Sequence, residues 1–239
     1  MGLTARKISI LYKKDFKDIL KNISISISMI IPVFFAILYQ YLFSDLPLPE
    51  TYLLTLVLAL NLTMAAVMIP ATSIAEEKEK NTLRTLMLSN VNGFEFCMSK
   101  MLVSSTFLLI TNVIIFLILR QNPVYLPGFI LITVIGAIPL IVLGAAVGLA
   151  ARDQMTAGVY EIPLMLVFLF PTIFAGMNSV AQKIADFTPC NTAVEAVINL
   201  VQGDFFTKDT LFAGCVSIAW IILSIALFVY LFKRKGVDN

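Results

Sequence analysis

Charge is scarce in this sequence, and histidine is missing altogether. Only 13% of the 239 residues are charged, against about 25% in a soluble domain. A shortfall of that size makes lipid, rather than water, the expected main solvent of the chain. The lack of histidine excludes Ser/His dyads, His-x-x-Glu-His zinc sites and haem ligation by His. The three cysteines, Cys97, Cys190 and Cys215, have no Cys-x-x-Cys spacing. They read as free thiols in apolar surroundings, with a Cys190–Cys215 bridge left open. No Gly-x-x-x-x-Gly-Lys-Ser/Thr phosphate loop occurs. Paired buried aspartates and a convincing nucleophile–base pair are also missing, which argues against an intramembrane enzyme. The chain is expected to be non-catalytic, with no metal, no cofactor of its own and no nucleic-acid partner.

Apolar residues, by contrast, make up 59% of the chain. Crossing a hydrocarbon core takes about 20 consecutive apolar residues. Six stretches qualify: 23–43, 52–74, 96–119, 126–150, 157–177 and 211–232. The first carries Ser24, Ser26, Ser28 and Pro32. A span tolerates these because serine bonds back to the backbone and neighbouring helices pack around a kink. Ahead of it, residues 3–21 place Ile8, Leu11, Tyr12, Phe16, Ile19 and Leu20 on one helical face. Arg6, Lys7, Lys13, Lys14, Lys17 and Lys21 lie largely off that face. The pattern predicts an elbow helix in the interface, apolar side down and basic side toward anionic headgroups. With the N-terminus inside, all 17 Lys and Arg except Arg120, Lys183 and Lys208 fall on the inner side. That bias predicts a multi-pass plasma-membrane protein with both termini cytosolic. The expected fold is an all-α membrane protein: an elbow domain, 1–22, and a six-span domain, 23–239. The 44–51 and 120–125 connections read as outer turns, and 152–156 as an inner one.

Two connections are long, and function is expected there. The inner one holds the densest charge in the chain, in the stretch from Ser73 to Met101. Ser73 and Glu76 have capping-box spacing, and Glu76, Glu77 and Glu79 follow where acidic groups offset the helix dipole. Glu76 and Lys80 form an i,i+4 pair. Leu83, Leu86 and Met87 share a face, and Asn90, Asn92 and Gly93 provide a stop. A short helix within about 76–90 is predicted, acidic at its start and apolar on one side. An exposed apolar face of that kind needs something to cover it.

The stretch Glu77-Lys78-Glu79-Lys80-Asn81-Thr82-Leu83 resembles the Glu-Arg-Glu-x-Gly-Thr-Leu signature of type-2 ATP-binding-cassette (ABC) membrane permeases. In that family a Pro-Val turn and a Gly-Lys pair follow. Asn90-Val91 and Ser99-Lys100 stand at those places here. Asn81 replaces Gly, and asparagine is among the few residues that visit the left-handed region routinely. The resemblance extends along the chain: an elbow helix, six spans, a coupling helix after the second and broken outer helices before the sixth. It implies the permease subunit of an ATP-driven exporter, paired with a second permease copy in a homodimer or heterodimer. A separate ABC ATPase subunit would bind ATP and Mg. Glu77 and Glu79 would face basic groups of that ATPase, and Leu83, Leu86 and Met87 would fill an apolar groove, with Glu76 and Thr82 in the same coupling element. Outward movement of a peptide, drug or lipid-like substrate is the implied activity.

The other long connection, about 178–203, is too polar to span. Pro189 divides it, and Val194, Val197, Ile198 and Val201 make an apolar stripe, so two short helices dipping into the outer leaflet are expected. Gly144 and Gly148 form a Gly-x-x-x-Gly, which lets helix backbones approach closely. Glu161 lies inside the fifth span, where an ionisable group is a functional candidate. Arg152 or an elbow cation is its expected partner. Phe168, Phe170 and Phe174 are candidate pathway-lining side chains. An ion-coupled secondary carrier is the competing class, although such carriers place acidic or discontinuous elements near the midplane, and only Glu161 fits.

Overall fold

A computed structural model describes residues 2–43, 50–203 and 207–235. Its helices are α1 (Gly2–Lys21), α2 (Ile23–Leu42), α3 (Glu50–Glu79), α4 (Thr82–Leu88) and α5 (Gly93–Ile118). They continue with α6 (Leu126–Ala150), α7 (Gln154–Phe174), α8 (Ser179–Ala185), α9 (Pro189–Gln202) and α10 (Lys208–Lys235). Short 3-10 turns at Pro123–Tyr125 and Ala175–Met177 precede α6 and follow α7. No strand occurs among the described residues. Six helices are long and apolar enough to cross a membrane: α2, α3, α5, α6, α7 and α10. Of the turn expected at 44–51, residues 44–49 lie outside the described residues, and Glu50 and Thr51 already belong to α3.

The bundle is built around α3, which packs on α2, α5, α6, α7 and α9. Leu54, Leu58, Leu62, Ala65, Ala66 and Ile69 along it are fully buried. At the other extreme, α10 turns Ile218, Ile222, Leu223 and Ile225 outward. Apolar side chains on the outside with a packed, partly polar interior are what a lipid solvent selects.

Helix ends follow local chemistry. The Asn22 side chain accepts from Ile25 N and starts α2. Ser28 Oγ donates to Ile25 O at 2.7 Å, so this buried hydroxyl is satisfied within its helix. Asp153 caps α7 by accepting from both the backbone N–H and the hydroxyl of Thr156, each at 2.7 Å. Those bonds hold its carboxyl below the usual carboxylate range.

Two features depart from the sequence expectations, and one open question closes. Ser73 starts no helix: α3 runs through it to Glu79, and Ser73 is buried mid-helix. Alanine, glutamate and lysine follow it, all strong helix formers, so nothing there interrupts the backbone. The capping box forms instead at Asn92 and Glu95, with Asn92 N–H donating to Glu95 Oε2 at 2.9 Å. It opens α5 at Gly93. The apolar face of α1 lies on α5 rather than on lipid: Leu11 and Ile19 are buried, and the Phe16 ring stacks on Phe107 at 4.7 Å. Finally, Cys190 is buried and Cys215 exposed, both as free thiols, so the open question of a bridge closes.

Beyond Pro189, α9 sits against the bundle. Cys190 Sγ lies 3.7 Å from Ala59 O, and Asn191, Thr192, Ala193, Val194 and Val197 are buried. Gly136 and Gly128 of α6 face Ala193 and Leu200. Gly144 and Gly148 seat the other half of α6 on α3. A Cβ at Gly148 would come within 2.7 Å of Ala71 O and 2.8 Å of Ile74 Cβ.

Gly148→Val is therefore expected to lower the thermal midpoint of the purified protein, since overpacking costs about 1–3 kcal/mol. Gly158 has nothing within 4 Å of its would-be Cβ. Gly158→Ala should leave the midpoint unchanged or raise it, because alanine is preferred in helices by about 1 kcal/mol. Fluorescence of Trp220, the only tryptophan, reports both; equal losses in the two variants would contradict the close α3–α6 approach.

Candidate functional site: the charged end of the bundle

The sequence between the second and third spans folds as the end of α3, a break, α4, a second break and the start of α5. The first break is at Asn81, with φ +55°. A left-handed residue costs most side chains about 1–2 kcal/mol, and asparagine, like glycine, is among those that visit it routinely. The second break is a Schellman-type cap. Val91 N–H bonds Leu86 O, Asn90 N–H bonds Met87 O, and Asn90 has φ +61°. Proline, locked near φ −65°, has no access to that conformation. The turn at Asn90 thus differs from the Pro-Val turn of the type-2 pattern.

The glutamates of this stretch are engaged within the chain. Glu76 Oε2 accepts from Asn22 Nδ2 at 2.6 Å, and its other oxygen pairs with Lys80. Glu77 is buried, accepts from Thr82 Oγ1, and ion-pairs with Lys14 and Lys100. Glu79 Oε2 accepts from the N–H and the side-chain amide of Gln154, each at 3.1 Å. Glu77 is therefore not free to face basic groups of another protein, because its own lysines occupy it. Glu79 keeps an exposed edge. Lys78 Nζ donates to Leu149 O and Ala151 O, capping the carbonyl end of α6.

The apolar side chains of α4 divide in two. Leu83 is buried in a cluster with Ile74, Phe96, Cys97, Ala145 and Leu149, and Leu86 and Met87 lie half-buried against it. This inward packing closes Leu83 to a partner. Thr85 and Ser89 face outward, and so does Leu88, at 82% exposure. Leu88 continues the Leu86-Met87 run but lies off the apolar face that Leu83, Leu86 and Met87 define in the sequence.

Helix α1 clamps this region along its length. Lys7 Nζ donates to Asn90 O at 2.6 Å and lies 3.7 Å from Glu95. Tyr12 hydroxyl donates to Thr106 Oγ1 at 2.9 Å. Burial pulls the Lys14 ammonium down, but the bond and charge of Glu77 outweigh it, with Asp15 and Asp18 adding to the rise. Asp15 and Lys100, each 2% exposed, meet at 2.8 Å. The sequence signal for that pair was a lone acid between Leu11 and Ile19 on an apolar face, and a lone lysine inside the third apolar run. A cavity of about 220 Å³ opens beside them, lined by Lys14, Asp18, Lys21, Glu76, Glu77 and Lys80 among others.

The remaining candidates lie elsewhere. Glu161 is fully buried; its Oε1 accepts from Thr72 at 3.0 Å and its Oε2 has no hydrogen-bond partner. Neither Arg152 nor an elbow cation reaches it among the described ion pairs, because it faces α3 and not the end of the bundle. Phe168 is buried edge-to-face on Trp220 at 5.3 Å, whereas Phe170 and Phe174 are about half exposed. At the opposite end, Gln182, Asp186, Glu195, Asn199, Asp209 and Phe212 line a polar cavity of about 380 Å³.

The family model described as ABC-2 family transporter protein matches residues 39–232. No curated protein matches the chain. The match takes in the charged end from α3 to α5 and every spanning helix after α2. Six apolar helices and this coverage lead to one conclusion: the chain belongs to the ABC-2 family of transporter permeases, membrane subunits that work with an ATPase.

Proposed function

We propose that this chain is the permease subunit of an ATP-driven exporter, and that α4 is its contact with the ATPase. The charged end of the bundle lies in the cytosol with both termini, as the Lys and Arg bias requires. Two permease copies, identical or related, form the pathway, and ATP and Mg bind to the separate ATPase. The substrate is peptide, drug or lipid-like, in keeping with an apolar route. The observation that carries the reading is the split of α4: Leu83 anchors it to the bundle while Leu88 stands out from a polar surface. With exposed Thr85, Ser89 and Asn90 beside it in sequence, this side chain offers an apolar contact to a partner's groove. Exposed Glu79 and Lys80 precede the other end of α4 and add polar surface to the same stretch.

Leu88→Glu is expected to cut recovery of the ATPase with the tagged permease. Losing burial of one leucine is worth about 2 kcal/mol, more than about tenfold in affinity. Membrane insertion and accumulation should stay at the parent level. Undiminished ATPase recovery would remove α4 as the contact.

Glu161 is the group on which the ion-coupled alternative would have to rest. Its hydrogen bond from Thr72 ties α7 to α3 without an ion pair. Glu161→Gln keeps the acceptor and should retain nucleotide-dependent activity at normal accumulation. Glu161→Leu removes the acceptor and should lower accumulation. Loss of activity in Glu161→Gln alone, at full accumulation, would favour a charge-dependent carrier.

A further inference from the structure

We propose that Lys100 is a positioning residue that locks α1, the α3–α4 junction and the start of α5 into one moving unit. The proposal rests on reading α4 as the ATPase contact. Lys100 Nζ lies 2.8 Å from Asp15 Oδ1 on α1 and 3.1 Å from Glu77 Oε1 on α3. It also sits 5.5 Å from the centre of the Phe96 ring. Both carboxylates have second anchors. Ser99 hydroxyl donates to Asp15, and Thr82 hydroxyl and Lys14 ammonium donate to Glu77. Asp18 adds a third carboxylate at the edge, 3.4 Å from Lys14, and three separate stretches of chain meet at one cation.

Thr82 gives this cluster its mechanical meaning. It is the first residue of α4, so a push on α4 reaches Glu77 through one hydrogen bond. From Glu77 it reaches α1 through Lys14 and α5 through Lys100. The seven-residue α4 packs on α3 and, through Leu83, on α5 and α6; its polar ties to α1 are this route and the Lys7–Asn90 bond just past its end. Stability alone does not account for the cluster. A buried ion pair is often replaceable by apolar side chains without loss. What charge pairing adds is geometry: opposite charges with fixed hydrogen-bond partners have one arrangement, whereas apolar surfaces slide. As α4 moves with the ATPase, α1 and α5 follow it without lag.

The test uses the reconstituted permease–ATPase complex with Cys215→Ser, Thr85→Cys on α4 and Leu102→Cys on α5, the element that Lys100 joins to Glu77, both label sites being exposed. Pulsed electron resonance reads the distance between the spin labels without nucleotide and with ATP and vanadate. In the otherwise unaltered chain the distance is expected to stay fixed between the two states. The paired variant Asp15→Asn with Lys100→Met removes both charges and leaves the Lys14–Glu77 pair intact, so no buried charge is stranded. In it, the distance is expected to shift by about 2 Å or more between states, the size of a helix shift at an interface, while ATP hydrolysis continues. Lys100→Arg, which keeps the charge, should restore the fixed distance. A fixed distance in the paired variant would overturn the proposal. Failure of the parent permease to retain any ATPase would instead overturn the reading of α4, and the proposal with it.

Discussion

One ammonium group ties the charged end of this protein together. Lys100 sits inside the third apolar run, where a lone cation is costly, and the cost is offset only because Asp15 and Glu77 converge on it from two other helices. That requirement fixes much else. Asp15 must lie on the packed face of α1, so α1 docks on α5 instead of resting its apolar side in lipid. Glu77 must point inward, so α3 has to continue as a helix past the point where the apolar run ends. Thr82 then finds its acceptor only if the chain turns sharply after Glu79, which Asn81 in a left-handed conformation allows.

The same constraint separates two jobs that the sequence presents as one. The acidic residues after the second span look like a surface ready for a partner. In the folded chain they are mostly internal hardware: Glu76 with Asn22 and Lys80, Glu77 with the lysines, Glu79 with Gln154. The surface left over belongs to α4, whose outward residues include Leu88. Membership of the ABC-2 transporter family implies an ATPase partner, and on the proposed reading the tight linkage behind α4 suits a part that receives force. The opposite end is different in kind, with α8 and α9 wedged against the spans and a polar cavity among them.

The spans were legible because length and apolarity are summed over about 20 residues, so local exceptions such as Ser24 or Pro32 do not change the result. The type-2 resemblance was legible from Glu77 to Leu83 and survives in the backbone: the position where that pattern has glycine is the one with φ +55°. What was not legible depended on distant partners. Capping-box spacing occurs at both Ser73 and Asn92, and only packing decides that the first stays helical while the second starts a helix. Asp15 and Lys100 are separated by many residues, so their pairing is visible only as two oddities, each a lone charge in an apolar pattern. Glu161 reads in sequence as a group near a cation, but which face of α7 meets Thr72 cannot be told from spacing alone.

The account stands most directly on whether α1 is part of the bundle or a helix resting beside it. Hydrogen exchange of the full chain in lipid nanodiscs measures this. The account predicts that amides 11–19 of α1 exchange as slowly as amides 96–104 at the start of α5, since one charge cluster and one apolar seam hold both. Exchange of 11–19 at the rate of an unattached interfacial helix, with 96–104 still protected, would contradict it.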